Sequence, residues 1–337
     1  MQLPLLTRYA DILRYDRTRG IAAAIDWRTY PARRDFDEYP TAEASAHAIA
    51  AAAVGHGRAA AYLAGYGLAL AARAWAGRPS ETRRAAIIQA GEWLRRARPF
   101  DRRVAGMIEE GLARADAAIL AGGDAEATLL EYVESEIKRA DRVAERCGRL
   151  AAGLLDEGDH MLTHGFAGPA LNWLLALAHG EERKQLQLTI TTPAAQPDTA
   201  RLAANLASEI GVPVTHHRDM TPEQSFTDQT YNVMFIGADR MAMNGGVAGP
   251  SASAAYVALA RQHGTPCYVL GYDGPDPDCP TTSALSADLM VGDTIDNSIV
   301  PPEQISAIIT NRGIYRPEMI ARYLGDGDAP LAVIPLS

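Results

Sequence analysis

Cysteine is scarce in this chain. Only Cys147, Cys267 and Cys279 occur, no two are spaced C-x-x-C, and their number is odd. A disulfide framework and a cysteine-rich zinc site are therefore disfavoured, and a reducing, cytoplasmic setting is expected. Long apolar runs are lacking as well. The longest, residues 49–54 and 171–178, are too short to span a bilayer, so no membrane partner is expected. Met1-Gln2-Leu3-Pro4 carries no basic segment leading into an apolar one, so no signal peptide is expected. Positive charge is in deficit: the formal net charge is −9 and the pI about 5.4. Such a surface repels phosphate backbones and argues against nucleic acid as a primary partner, although a local basic pocket is compatible with it. The G-x-S-x-G, H-E-x-x-H and P-loop signatures are missing, as are internal repeats and low-complexity tracts.

What is there is ordinary globular composition. Apolar residues make up 47% and charged residues 22% of 337, enough for two domains at roughly 100–200 residues each. Residues 7–30 read as a short meander, with a turn over 15–20 and a strand over 21–27; residues 31–40 read as a polar connector. Alanine-rich helical patterns follow. One runs over 41–53 with Thr41 as N-cap, and a second reaches about Ala76. Others cover 80–96 with Ser80 as cap, 101–121, and 125–154, the last an amphipathic bridge between domains. From about residue 158 short apolar runs (161–163, 186–192, 213–216, 233–236, 266–270 and 289–291) alternate with helical ones (198–210 and 251–263). That alternation predicts a parallel sheet with helices on both faces. Ligands of such sheets sit outside the carboxyl ends of the strands.

The residues that follow the strands are therefore the candidates. His164-Gly165-Phe166-Ala167-Gly168 after the first run is either a tight turn or a turn that aims backbone N–H groups at an anion. Asp239, after residues 233–236 and beside the glycine-rich 244–246 loop, is either a turn cap or a general acid/base whose pKa partial burial would raise. His216 and His217 are adjacent on a strand end and point to opposite faces, so they form no metal pair. Cys267 lies within a strand and reads as core, and Cys279 has acidic neighbours that make it a poor nucleophile.

Ile236-Gly237-Ala238-Asp239-Arg240, with Asn244-Gly245, resembles the GADR-x-x-x-NG motif of the methylthioribose-1-phosphate isomerase and initiation factor 2B family. Asp159 to His164 resembles its G-d-x-iLTH strand, and Gly211-Val212-Pro213-Val214-Thr215 its GIPvT segment. Residues 302–314 resemble its C-terminal stretch. Tyr66-Gly67 and Arg78-Pro79-Ser80 resemble its AAYG and RPT segments. The resemblance spans most of residues 10–320 and is looser before residue 150. It implies an α/β protein: a C-terminal Rossmann-like parallel-sheet domain with a smaller, mainly helical N-terminal domain. The expected boundaries are 1–124 for the helical domain with its β meander and 125–157 for a linking helix. Residues 158–337 are then the ligand-binding and dimerisation domain.

The family contains aldose–ketose isomerases of sugar phosphates and non-catalytic initiation factor 2B subunits. The isomerases use a cysteine directly after LTH and the aspartate of GADR. Here Asp239 and Asn244 are kept, Gly165 stands in place of the cysteine, and Phe166 stands in place of the next asparagine. The isomerases' phosphate arginine is Gly55 here, and their Asn-Lys pair is Gly249-Pro250. What the resemblance implies is then an isomerase with an altered site. Asp239, His56 and His164 are its catalytic candidates, and Asn244, Arg58, Arg78, Gly165, Phe166 and Gly249 its substrate-binding ones. The substrate is a small sugar or sugar phosphate, with no metal and no cofactor, and the protein is a cytoplasmic homodimer. The other reading is a ligand-binding regulatory protein of the initiation-factor type.

Overall fold

The computed structural model describes residues 3–55, 58–218, 220–227, 229–291 and 297–325. Its contacts divide the chain into two packed units: residues 8–141, and residues 142–337 together with 1–7.

In the first unit a single helical turn, α1 (Tyr9–Ile12), leads into three antiparallel strands, β1 (Leu13–Asp16), β2 (Ile21–Ile25) and β3 (Phe36–Tyr39). The Asp16 carboxylate accepts from the N–H groups of Thr18 and Arg19, both at 2.9 Å, and so closes the expected turn. Strand β3 falls within the stretch expected to be a connector. Its pattern is mostly half-exposed, as suits an edge strand, and so reads as polar. Four helices follow: α2 (Ala42–Ala50), α3 (Arg58–Ala74), α4 (Ser80–Ala97) and α5 (Arg102–Leu120). Thr41 caps α2 as expected, accepting from Ala44 N–H at 3.1 Å. Asp101 caps α5 through Arg103 N–H at 3.0 Å and Val104 N–H at 3.2 Å. Ser80 is no cap: it is the first helical residue of α4, and Pro79 before it offers no side-chain acceptor. Helix α3 is the core of this unit, every residue from Ala59 to Ala72 being buried.

Helix α6 (Ala125–Ala152) begins in the first unit and ends in the second. There β4 (His160–His164), α7 (Pro169–Leu175), β5 (Gln187–Thr191), α8 (Pro197–Ile210), β6 (Val214–His217), α9 (Pro222–Thr227) and β7 (Val233–Gly237) alternate as expected. A small antiparallel sheet takes β8 (Arg240–Met241) and β9 (Val247–Pro250), before α10 (Ser253–Gln262), β10 (Cys267–Tyr272) and α11 (Thr282–Val291). Its third strand is β11 (Asn297–Val300); β12 (Ala307–Thr310), β13 (Gly313–Tyr315) and α12 (Arg322–Gly325) complete the unit. The strand expected over 289–291 is the end of α11. A three-residue apolar run carries no period of its own, and Thr281 starts a helix by accepting from Ala284 N–H at 3.2 Å. The place in the sheet is taken by β12 instead.

The main sheet runs β13-β12-β10-β7-β4-β5-β6, all parallel except β13. Alternate residues feed two cores. Met161, Phe235, Leu270 and Ile309 face the α6 end, α7 and α8; Leu162, Ile236, Val269 and Ile308 face α9 and α10. The chain moves from β4 outward to β6, then returns to lay β7 on the other side of β4. The carboxyl ends of β4 and β7 are thus the topological switch point, where an open sheet leaves a crevice for ligand. Among the described residues, no helix is long and apolar enough to cross a membrane.

Candidate functional site

The two turns beyond β4 and β7 meet at the switch point. A Cβ on Gly237 would lie 3.0 Å from the Ala167 Cα, so the end of β7 runs close against the turn after β4, an approach that glycine eases. Gly249 packs on the same strand end: a Cβ there would lie 3.4 Å from the Gly237 carbonyl oxygen. Residues 164–166, Asp239 and Gly249, three segments far apart in sequence, are therefore gathered at the carboxyl ends of β4 and β7.

His164 ends β4 and is 2% exposed. Its Nε2 is 2.6 Å from the Ser251 carbonyl oxygen and its Nδ1 is 2.7 Å from the Thr191 hydroxyl. A carbonyl only accepts, so Nε2 carries the proton and Nδ1 accepts from Thr191 in a neutral imidazole. The ring lies against Tyr256, with centroids 4.6 Å apart. Burial pushes the imidazole pKa below its ordinary value, opposed by the bond to Ser251. Both nitrogens are engaged inside the protein, and the side chain ties β4, β5 and the start of α10 together. Thr191 lies directly opposite His164 in the β4–β5 register, which is the signal by which the sequence could have named it.

Gly165 has φ +68°, and its N–H bonds the Thr191 carbonyl at 2.9 Å. A Cβ there would lie 2.9 Å from both Pro193 Cγ and Thr199 Oγ1. Phe166 is half-buried against the α7–α8 core. Pro169 has no N–H, Ala170 N–H is taken by the Tyr272 hydroxyl at 3.3 Å, and Leu171 N–H by the Gly168 carbonyl at 3.0 Å. Positions 169–171 therefore present no N–H of their own to a ligand.

Asp239 follows β7. Its backbone N–H donates to the Ala248 carbonyl at 2.8 Å, and the residue is exposed. The next residue, Arg240, is paired with Asp276 at 2.8 Å, both mostly buried. Asn244 uses its Oδ1 to accept from Gly246 N–H at 3.2 Å and the Thr282 hydroxyl at 3.0 Å, so it fastens the 244–246 loop to α11. Arg240 to Asp276 and Asn244 to Thr282 are ties that motif reading alone missed.

The remaining candidates belong to the first unit. His56 lies outside the described residues. Arg58 opens α3, and the exposed Arg78 follows its far end, so the 17-residue helix sets them about 25 Å apart. They do not converge on one phosphate-sized group. Among the described residues there is no cluster of three or more His, Cys, Asp or Glu side chains that could hold a metal.

Comparison with known proteins agrees with this fold. The family model described as "Initiation factor 2 subunit family" matches residues 55–271. A methylthioribose-1-phosphate isomerase of Anaeromyxobacter dehalogenans is 30% identical over 328 residues, covering 90% of this chain and 93% of that one. The enzyme of the same name from Syntrophotalea carbinolica is 27% identical over 330 residues, covering 89% and 95%. Among solved structures, 5-methylthioribose 1-phosphate isomerase from Pyrococcus horikoshii superposes with a TM-score of 0.75 at 21% identity, covering 97% and 96%. The delta subunit of eIF-2B from A. fulgidus does so with a TM-score of 0.72 at 19% identity, covering 91% and 96%.

Proposed function

This chain belongs to the initiation factor 2 subunit family, and on that premise we propose that it is a sugar or sugar-phosphate isomerase with an altered active site and Asp239 as its acid/base. The observation that carries the reading is the place of Asp239: exposed, just past the end of β7, beside the turn after β4. A carboxylate there can take a proton from one carbon of a bound sugar and return it to the neighbouring carbon. An aldose–ketose interconversion moves that proton and one between the two oxygens, so it needs no co-reactant. The exposure of Asp239 means that the substrate itself has to cover the carboxylate and desolvate it.

His164 serves this site from behind. Its two internal hydrogen bonds hold the end of β4 and the start of α10, so its role is positioning. Asn244 does the same for the loop beyond Asp239. Residues 158–337 are the ligand-binding and dimerisation domain, and the working form is a cytoplasmic homodimer.

A second reading, a regulatory subunit that binds ligand without turnover, draws on one observation: the position after His164 is a glycine whose surroundings leave no room for a side chain. One experiment separates the two. Wild type and Asp239→Asn are incubated with methylthioribose 1-phosphate, ribose 1-phosphate, ribose 1,5-bisphosphate and their unphosphorylated sugars, and products are read by NMR. Turnover by wild type that falls at least about 100-fold in Asp239→Asn, with binding retained, supports the isomerase. Ligand-induced stabilisation that is equal in both proteins, without product, supports the regulatory reading.

A further inference from the structure

Tyr272 ends β10, yet its side chain acts two strands away. In the sheet β7 lies between β10 and β4, and the Tyr272 phenol reaches over the end of β7 to the turn that follows β4. There its hydroxyl donates to the Ala167 carbonyl at 2.8 Å and accepts from the Ala170 N–H at 3.3 Å. It thus replaces the missing side-chain cap of α7, whose N-cap residue is Gly168. A Cβ on Gly168 would collide with that hydroxyl, so glycine and phenol fit each other.

The backbone is bent to make this reach possible. The pairing of β10 with β12 shifts at Gly271, which sits unpaired between Leu270 and Tyr272. A residue inserted in this way re-aims the next side chain. Tyr272 itself has φ +45°, an uncommon backbone state for an aromatic residue. It is held there by the Asn311 N–H, which donates to its carbonyl at 3.0 Å, and by a turn in which Gly274 N–H bonds the Gly271 carbonyl at 3.0 Å. A non-glycine residue kept in such a state is strained, and the surrounding bonds hold it.

The geometry points to Tyr272 as a positioning residue of the proposed isomerase site: its phenol fixes the 165–168 turn against the end of β7 and so sets the opening beside Asp239. This role rests on the isomerase reading, because the turn matters for chemistry only if a sugar is converted there. Removing the hydroxyl leaves the ring and the strand in place but frees Ala167 and Ala170. The turn then samples positions away from β7, and the bound sugar is less often aligned with the carboxylate.

The test is Tyr272→Phe beside wild type, with three measurements on each full-length protein: amide hydrogen exchange followed by mass spectrometry, kcat and KM on the sugar that wild type converts, and the melting temperature. Exchange at 165–171 is expected to rise about tenfold while 233–237 keeps its protection, and kcat to fall about tenfold with KM within about threefold. Faster exchange with an unchanged kcat overturns the positioning role and leaves only a structural cap. Exchange equal to wild type overturns it as well. A wild type that converts no sugar is a different failure, that of the isomerase reading. It shows in the unmodified protein, and the exchange experiment then still decides whether the phenol orders the turn.

Discussion

Gly165 shows how a single residue limits the chemistry open to this site. The isomerases that the sequence resembles carry a thiol at this point. Here the backbone is left-handed, and the volume a Cβ would need is taken by Pro193 and Thr199. Restoring the thiol therefore meets two obstacles, the φ angle and the crowding. Gly165→Cys is expected to lower stability by about 1–3 kcal/mol, read as a drop in the urea midpoint, and to add no turnover on any sugar phosphate. A variant as stable as wild type would mean that the turn relaxes, and a gain in turnover would mean that the thiol pocket still exists. Asp239 is the opposite case. Its type and its place after a strand were legible in the sequence, whereas its exposure was not, because solvent access depends on how the loops of β8 and β9 fold around it.

At the scale of elements, the periodic helices and the central strands could be read with bounds near those observed, since long repeats average over local ambiguity. Short elements could not. Residues 289–291 are apolar enough for a strand but extend α11, and β3 hides in a polar stretch because only one of its faces is covered. Strand β10 runs past Leu270 to Tyr272, so the rule of inspecting the residue after each strand stopped short of the phenol that braces the site. The caps offer a direct check on the local physics. Asp101 bonds two N–H groups at the start of α5, while Ser80 is already helical and caps nothing. Asp101→Ala is expected to cost about 1 kcal/mol and Ser80→Ala only a few tenths, both measured by urea denaturation at pH 7. Equal losses would show that helix ends in this unit are not stabilised by side-chain acceptors.

At the scale of the whole molecule, four histidines couple stability to pH in one direction. Burial lowers the pKa of His164, and desolvation does the same to His160, His216 and His217. In each case the unfolded chain binds a proton more readily than the folded one. Stability then rises with pH wherever the unfolded state carries more protons. The contribution is complete above the ordinary value of 6.5 and is lost as pH falls through 6.5 towards the lower folded values. For each such group the slope in that window has an upper bound of about 1.4 kcal/mol per pH unit, one proton's difference between the two states. Asp141 works against this, but in a more acidic range. Burial raises its pKa above 3.8, so its carboxyl favours the folded state at low pH and loses that preference as pH rises through the raised value. Its bonds to the Tyr9 and Ala10 N–H groups at 2.7 and 3.1 Å limit the effect. Between pH 7.5 and 5.5 the histidines therefore dominate. Urea midpoints should be level above pH 7 and decline below about 6.5, and His164→Asn should flatten the decline even if it lowers the plateau. Midpoints that stay constant down to pH 5.5 would mean that His164 takes up a proton without leaving its place. Its bond to the Thr191 hydroxyl would then have to reverse, with Nδ1 as the donor, which is the one protonated arrangement the Ser251 carbonyl still permits.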